Sequence, residues 1–259
     1  MSLKRDDPGI LPNPGSIGGI TTATKYLFSA RGGPIRAAYK CTQAFVQGMA
    51  MKNPKTKRFD WSQVLRDEAR ITDVLLTEEL ATKLNLSTGS VSKALSRLEK
   101  RGLINRVADG VYLNKLVRDH SATDFISVLK ADSYVSLESA LSHWGLSTQS
   151  PVTLTCVTTG KPKEYRTPEF AITFRTISKR LFWGFVEKQT RYSKYRIAEP
   201  EKALLDWIYL CLQTGVTPSL DEIDFNPVDK QKLIKYADKY PGTVRNALTH
   251  SLAFEHFAA

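Results

Sequence analysis

From Ser87 to Arg101 the chain sets short hydroxyl side chains and long cations along one stripe of an expected helix. Val91, Leu95 and Leu98 recur at i, i+4 and i+7 and mark its apolar face. With Val91 inward, a turn of about 100° per residue carries Gly89, Lys93, Ser96 and Lys100 outward, flanked by Ser90, Ser92 and Arg97. No acid interrupts this face before Glu99, whereas a solvated helix ordinarily carries Glu–Lys pairs. The chemistry open to such a set is non-covalent. Hydroxyls and cations reach phosphate oxygens and base edges, and small residues let the backbone approach a groove. Ser87, Thr88, Gly89, Ser90, Ser92, Lys93, Ser96, Arg97 and Lys100 are the expected nucleic-acid contacts, with Arg106 as a phosphate contact beyond the helix.

Covalent chemistry has weaker candidates. Glu199, Glu201 and Asp206 are close enough in sequence to suggest general acid–base work. Two acids at a helix N-terminus also complement its dipole, and Asp206 is placed to pair with a nearby arginine. His120, His143, His250 and His256 show no His-x-x-x-His spacing, and Cys41, Cys156 and Cys211 form no Cys-x-x-Cys pair. Gly160-Lys161-Pro162 lacks both the earlier glycine and the following Ser or Thr of a phosphate loop, so it reads as a turn between strands. The expectation is no catalytic residue, no metal, no cofactor and no enzyme. Three dispersed cysteines imply reduced thiols and a cytoplasmic protein.

The elements that must position the stripe are those of a winged helix-turn-helix. Phe59 to Thr72 predicts a helix with Trp61, Val64, Leu65 and Ile71 inward. Thr77 stands as cap of a second helix with Leu80, Ala81 and Leu84 on its apolar face, and Asn85-Leu86 turns the chain. Ser87 caps the third helix, Thr88 to Arg101, and Gly102 ends it. A hairpin follows across Asp109-Gly110, a pair suited to a type I′ turn. A module of this outline lays its later helix in the major groove of DNA.

Composition agrees. Among 259 residues there are 37 Lys and Arg against 26 Asp and Glu, a formal charge of +11. Such a balance favours phosphate partners through counterion release. No apolar run approaches the ~18 residues needed to span a bilayer, and no membrane partner is expected.

The fold class expected is α+β: a winged helix-turn-helix over 57–118, followed by a mixed α+β domain over 119–259. Residues 1–56 read as a Pro/Gly-rich arm and an amphipathic helix from Pro34 to Ala50, suited to packing or to a dimer contact. In the second domain, helices are expected over Asp124–Leu129 and over Ser136–Trp144, the latter capped by Ser136. Strands are expected near 152–157, 170–174, 182–186 and 195–197. A buried helix begins at Glu199-Pro200, and two more follow, Val228–Tyr240 and Thr243–Phe257. Arg175, Lys179, Arg180, Lys188, Arg191, Lys194 and Arg196, with Tyr192 and Tyr195 among them, suggest either a solvated surface or a second nucleic-acid contact.

Three stretches carry a family likeness: Tyr134 to Leu146, Val157 to Pro162, and Ile197-Ala198-Glu199-Pro200-Glu201-Lys202-Ala203-Leu204-Leu205-Asp206. With the closing Lys235 to Pro241, they resemble the AbiEi-type antitoxins of type IV toxin–antitoxin systems, over about Phe59 to Phe257. The resemblance implies a transcriptional repressor that binds inverted repeats in its own promoter and autoregulates its operon. It also implies a nucleotidyltransferase-like toxin as functional partner, without a stable complex. The repressor itself is expected as a monomer or homodimer on double-stranded DNA. A ligand-sensing winged-helix regulator with no toxin partner is the alternative. A modifying enzyme with a winged targeting domain is a further one, for which no clustered acids or metal site are found.

Overall fold

The computed structural model describes residues Phe59–Thr249, so the arm and helix expected over 1–56 and the end of the last helix lie outside the described residues. The first helix, α1 (Trp61–Glu68), is capped by Asp60, whose Oδ1 accepts from the amides of Ser62 and Gln63 at 3.0 and 3.3 Å. It stops earlier than expected. The amides of Ile71 and Thr72 turn back onto the Glu68 carbonyl, which swings Ile71 outward to 62% exposure, correcting its expected core position.

Strand β1 (Val74–Leu76) leads into α2 (Thr77–Leu84). Thr77 does not cap α2 as expected. It is the first helical residue, and both its amide and its hydroxyl donate to the Gly110 carbonyl in the hairpin. Asn85 turns the chain with φ 52°, a left-handed conformation that Asn tolerates better than most residues. Helix α3 (Thr88–Lys100) follows, then β2 (Ile104–Ala108) and β3 (Val111–Asn114). The hairpin turn is not type I′, because Gly110 has positive φ (75°) and Asp109 does not. A register shift between Arg106 and Ala108 absorbs the difference.

These three strands form an antiparallel sheet, β1-β3-β2, covered on both faces. Strand alternation sends Leu75, Ile104 and Tyr112 to one side, into a core with Leu65, Leu80, Val91, Leu95 and Leu98. Val74, Val107, Val111 and Leu113 face the other way and join the larger core formed by the rest of the chain. This is why all four residues of β3 are buried.

A 3-10 turn (Ala122–Phe125) and the short α4 (Ile126–Leu129) lead into β4 (Ser133–Val135), α5 (Leu137–His143), β5 (Thr153–Thr158), β6 (Lys163–Arg166), β7 (Ala171–Thr176), β8 (Phe185–Gln189) and β9 (Lys194–Ala198). Their sheet is mixed, in the order β6-β7-β5-β4-β9-β8, with β5·β7 and β4·β9 parallel. Helices α6 (Pro200–Gln213), α7 (Lys230–Ala237) and α8 (Gly242–Thr249) complete the described chain. Pro200 opens α6 as expected, at a position where its missing amide costs nothing. Gly160-Lys161-Pro162 is a turn between β5 and β6.

Ser136 was expected to cap α5 with its side chain. Its hydroxyl instead donates to Asp206 Oδ2 at 2.9 Å, and Leu137 takes φ 57° to enter the helix. A non-glycine residue in that region carries about 1–2 kcal/mol of strain. Burial of Leu137 and the anchoring of Ser136 hold it there.

Candidate nucleic-acid interface

Helix α3 is fastened by its own ends and by one face. Ser87 Oγ accepts from the Ser90 amide at 3.2 Å, and the two hydroxyls lie 2.8 Å apart. Val91, Ala94, Leu95 and Leu98 are buried against α2, α1 and the small sheet. The opposite face is open. Ser87, Thr88, Gly89, Ser90, Lys93, Ser96, Arg97 and Lys100 are exposed, and Ser92 is half-buried. Ser92, Lys93, Ser96, Arg97 and Lys100 line one shallow concavity. A Cβ on Gly89 would meet nothing within 4 Å, so the fold does not demand glycine there; its effect is to leave the backbone approachable.

Lys93, Arg97, Lys100 and Arg101 make no salt bridge with any described residue. Their charge is available to an outside anion. Arg106 differs: it pairs with Asp109 at 3.2 Å and lies 5.9 Å from the centre of the Tyr112 ring, which holds it along the wing.

The other basic stretch is largely engaged with its own surroundings. Lys188 sits 4.9 Å over Trp144, Arg191 5.3 Å over Tyr192 and Arg196 5.4 Å over Phe185, while Lys194 pairs with Glu187 at 2.9 Å.

Asp206 is a correction. It pairs with Lys202, four residues earlier on the same face of α6, and not with an arginine. Both side chains are fully buried. Asp206 also accepts from Tyr134 (2.9 Å), Ser136 (2.9 Å) and Tyr240 (2.7 Å), and Lys202 reaches the Tyr134 and Tyr240 hydroxyls at 2.9 and 2.7 Å. Burial lowers the Lys202 pKa, against the pull of Asp206, and burial with Asp206 raises both tyrosines, so the phenols stay protonated donors. Gly184, at φ 73°, gives the lysine stem room, since a Cβ there would stand 3.2 Å from it. Such residue types can do proton chemistry, but this set has no path to solvent.

Glu199 and Glu201 tie α6 to α7. Glu199 accepts from Lys232 at 2.9 Å and from the Tyr236 hydroxyl at 2.7 Å; burial works against its charge, but these partners hold its pKa below the usual value. Glu201 accepts the Asp229 amide at 2.9 Å. Among the described residues no three His, Cys, Asp or Glu side chains gather where a metal ion could sit, and no helix is long and apolar enough to cross a membrane.

Sequence reasoning missed an acidic pair where the small sheet meets the rest. Asp73 is fully buried, and neither carboxylate oxygen has a hydrogen-bond partner among the described residues. Burial, and then the neighbouring Asp124, push its pKa up to about 6. No spacing or pattern links residues 51 positions apart, so only contact between the two parts reveals the pair. A raised carboxyl pKa means that the folded chain binds the proton more tightly than the unfolded one. Stability therefore falls as pH rises from about 4 to about 6. Asp73→Asn is expected to raise stability by about 1–2 kcal/mol at neutral pH, with the gain fading toward pH ~4, as read by thermal melts across that range.

A family model described as the MarR family matches residues 69–110, a stretch that runs from the end of α1 to the hairpin turn and covers less than half of the chain. No curated protein matches the chain. Geometry and family match agree on this stretch: it is a winged helix of the kind carried by DNA-binding transcriptional regulators.

Proposed function

We propose that the protein is a sequence-specific repressor that binds double-stranded DNA with α3 in the major groove. The single observation that supports this most is the open face of α3, with exposed hydroxyls and cations that have no ion pair among described residues. In this reading Ser87, Thr88, Gly89, Ser90, Ser92, Lys93, Ser96, Arg97 and Lys100 contact bases and phosphates, and Arg106 contacts phosphate from the wing. Residues 57–118 act as the DNA-binding module and 119–259 as the second functional part. The operator is an inverted repeat upstream of the protein's own gene, read by two copies.

The finer reading is an AbiEi-type antitoxin that autoregulates its operon and counteracts a nucleotidyltransferase-like toxin. The residue likeness over Tyr134–Leu146 and Ile197–Asp206 supports it. Binding of the full chain to its own upstream fragment and to random duplex, across a salt series, tests the repressor. A preference of about 10³-fold or more for the upstream fragment at physiological salt is expected. Equal affinity for both duplexes rules the specific repressor out. Co-expression with a nucleotidyltransferase-like protein encoded alongside tests the antitoxin, and continued growth arrest excludes that role.

A further inference from the structure

A cleft of about 390 Å³ opens where α1, β1 and α2 meet α4 and the β8–β9 loop. This volume lies within the range of small-molecule sites. Its edges carry two apolar side chains that the fold leaves in water, Ile71 at 62% and Val128 at 39% exposure, and Leu80 and Val74 lie deeper. Three carboxylates line it, Glu68, Glu79 and Asp124, against one amine, Lys83, which is taken up by Glu68 at 2.5 Å. In a chain of charge +11 this is a local reversal of sign.

Asp124 is the informative member. It is 2% exposed, and its Oδ1 accepts from the hydroxyls of Thr190 and Ser193, while its Oδ2 takes no hydrogen bond from a described residue. Behind it lies the unpartnered carboxyl of Asp73. A buried carboxylate with an unused oxygen in the wall of an apolar cleft lacks a cationic partner, and such groups are ordinarily paired.

We propose that this cleft is a binding site for a small organic cation with an apolar body, an ammonium on an alkyl or aryl frame. The ammonium meets Asp124, with Glu79 adding charge at the rim, and the apolar body covers Ile71 and Val128. Because α2 forms one wall, occupancy touches the first helix of the helix-turn-helix.

Calorimetric titration of the full chain with phenylbutylammonium, phenylbutanol and phenylbutyrate, alike in frame and different in charge, tests the site. The cation is expected to bind at least about tenfold more tightly than the carboxylate, with the alcohol between them. Asp124→Asn brings the cation's affinity down to that of the alcohol, and Val128→Trp, which fills the mouth from an exposed position, abolishes binding. If Asp124→Asn does not fold, Glu79→Gln, on the exposed surface of α2, takes its place and weakens the cation alone. Equal affinity for the three compounds, absence of binding, or cation binding untouched by Val128→Trp overturns the proposal. The titration uses no DNA, so its failure leaves the operator reading standing.

Discussion

Asp206→Ala is expected to destabilise the protein by about 3–5 kcal/mol, the cost of leaving a buried charge without its partner. The substitution strips Lys202 of its only carboxylate and leaves the Tyr134, Ser136 and Tyr240 hydroxyls without their shared acceptor. It also frees Ser136, whose bond to Asp206 holds the strained entry of α5 at Leu137. Lys202→Met is expected to cost a similar amount, because Asp206 would then sit charged in the core. The double variant Lys202→Met/Asp206→Leu is expected to cost less than the sum of the two singles, by about 0.5–3 kcal/mol. Denaturant melts of the four proteins measure this directly. Strict additivity would mean that the pair is not coupled and that the tyrosines carry the network without it.

Lys93→Ala/Arg97→Ala is expected to weaken operator binding by about 2–6 kcal/mol, at 1–3 kcal/mol for each side chain that reads a base. Neither cation has an ion pair with a described residue and both sit on the exposed face of α3, so the fold should not suffer. The melting temperature of the double variant should stay close to that of the parent. The salt dependence separates two contact types. A loss that is uniform across sequences, with a shallower slope of affinity against salt, marks phosphate contacts; a loss confined to the upstream fragment marks base contacts. Unchanged affinity would remove α3 from the interface.

Much of the DNA-facing half could be read from local patterns. The i, i+4, i+7 spacing of Val91, Leu95 and Leu98, the Ser87 cap and the Asn85 turn are interactions within a few residues of each other, and each appears in the structure. The Glu-Pro-Glu start of α6 was legible for the same reason. Failures came where a distant partner outbid the local one. Thr77 and Ser136 both sit where a helix cap belongs, but each hydroxyl is claimed from elsewhere, by Gly110 and by Asp206. Strands β1, β4 and β6 have three or four residues each, too few for an alternation to stand out. Ile71 was assigned to the core by extending a helical period past the point where α1 ends.

The sequence by itself determined the helix-turn-helix, the apolar stripe behind it and the cationic stripe in front, because these depend on periodicity and on contacts close along the chain. It also determined that α6 would be buried, since its apolar residues leave no polar face. Only the tertiary structure decided which partner each polar group takes. The burial of Lys202 with Asp206, the Tyr134 and Tyr240 hydroxyls that satisfy them, and the pairing of Asp73 with Asp124 depend on segments brought together across the sheets. The same holds for the second face of the small sheet. Val74, Val107, Val111 and Leu113 alternate as any half-buried strand would, and the alternation does not say what covers them; the packing of the larger core against that face does.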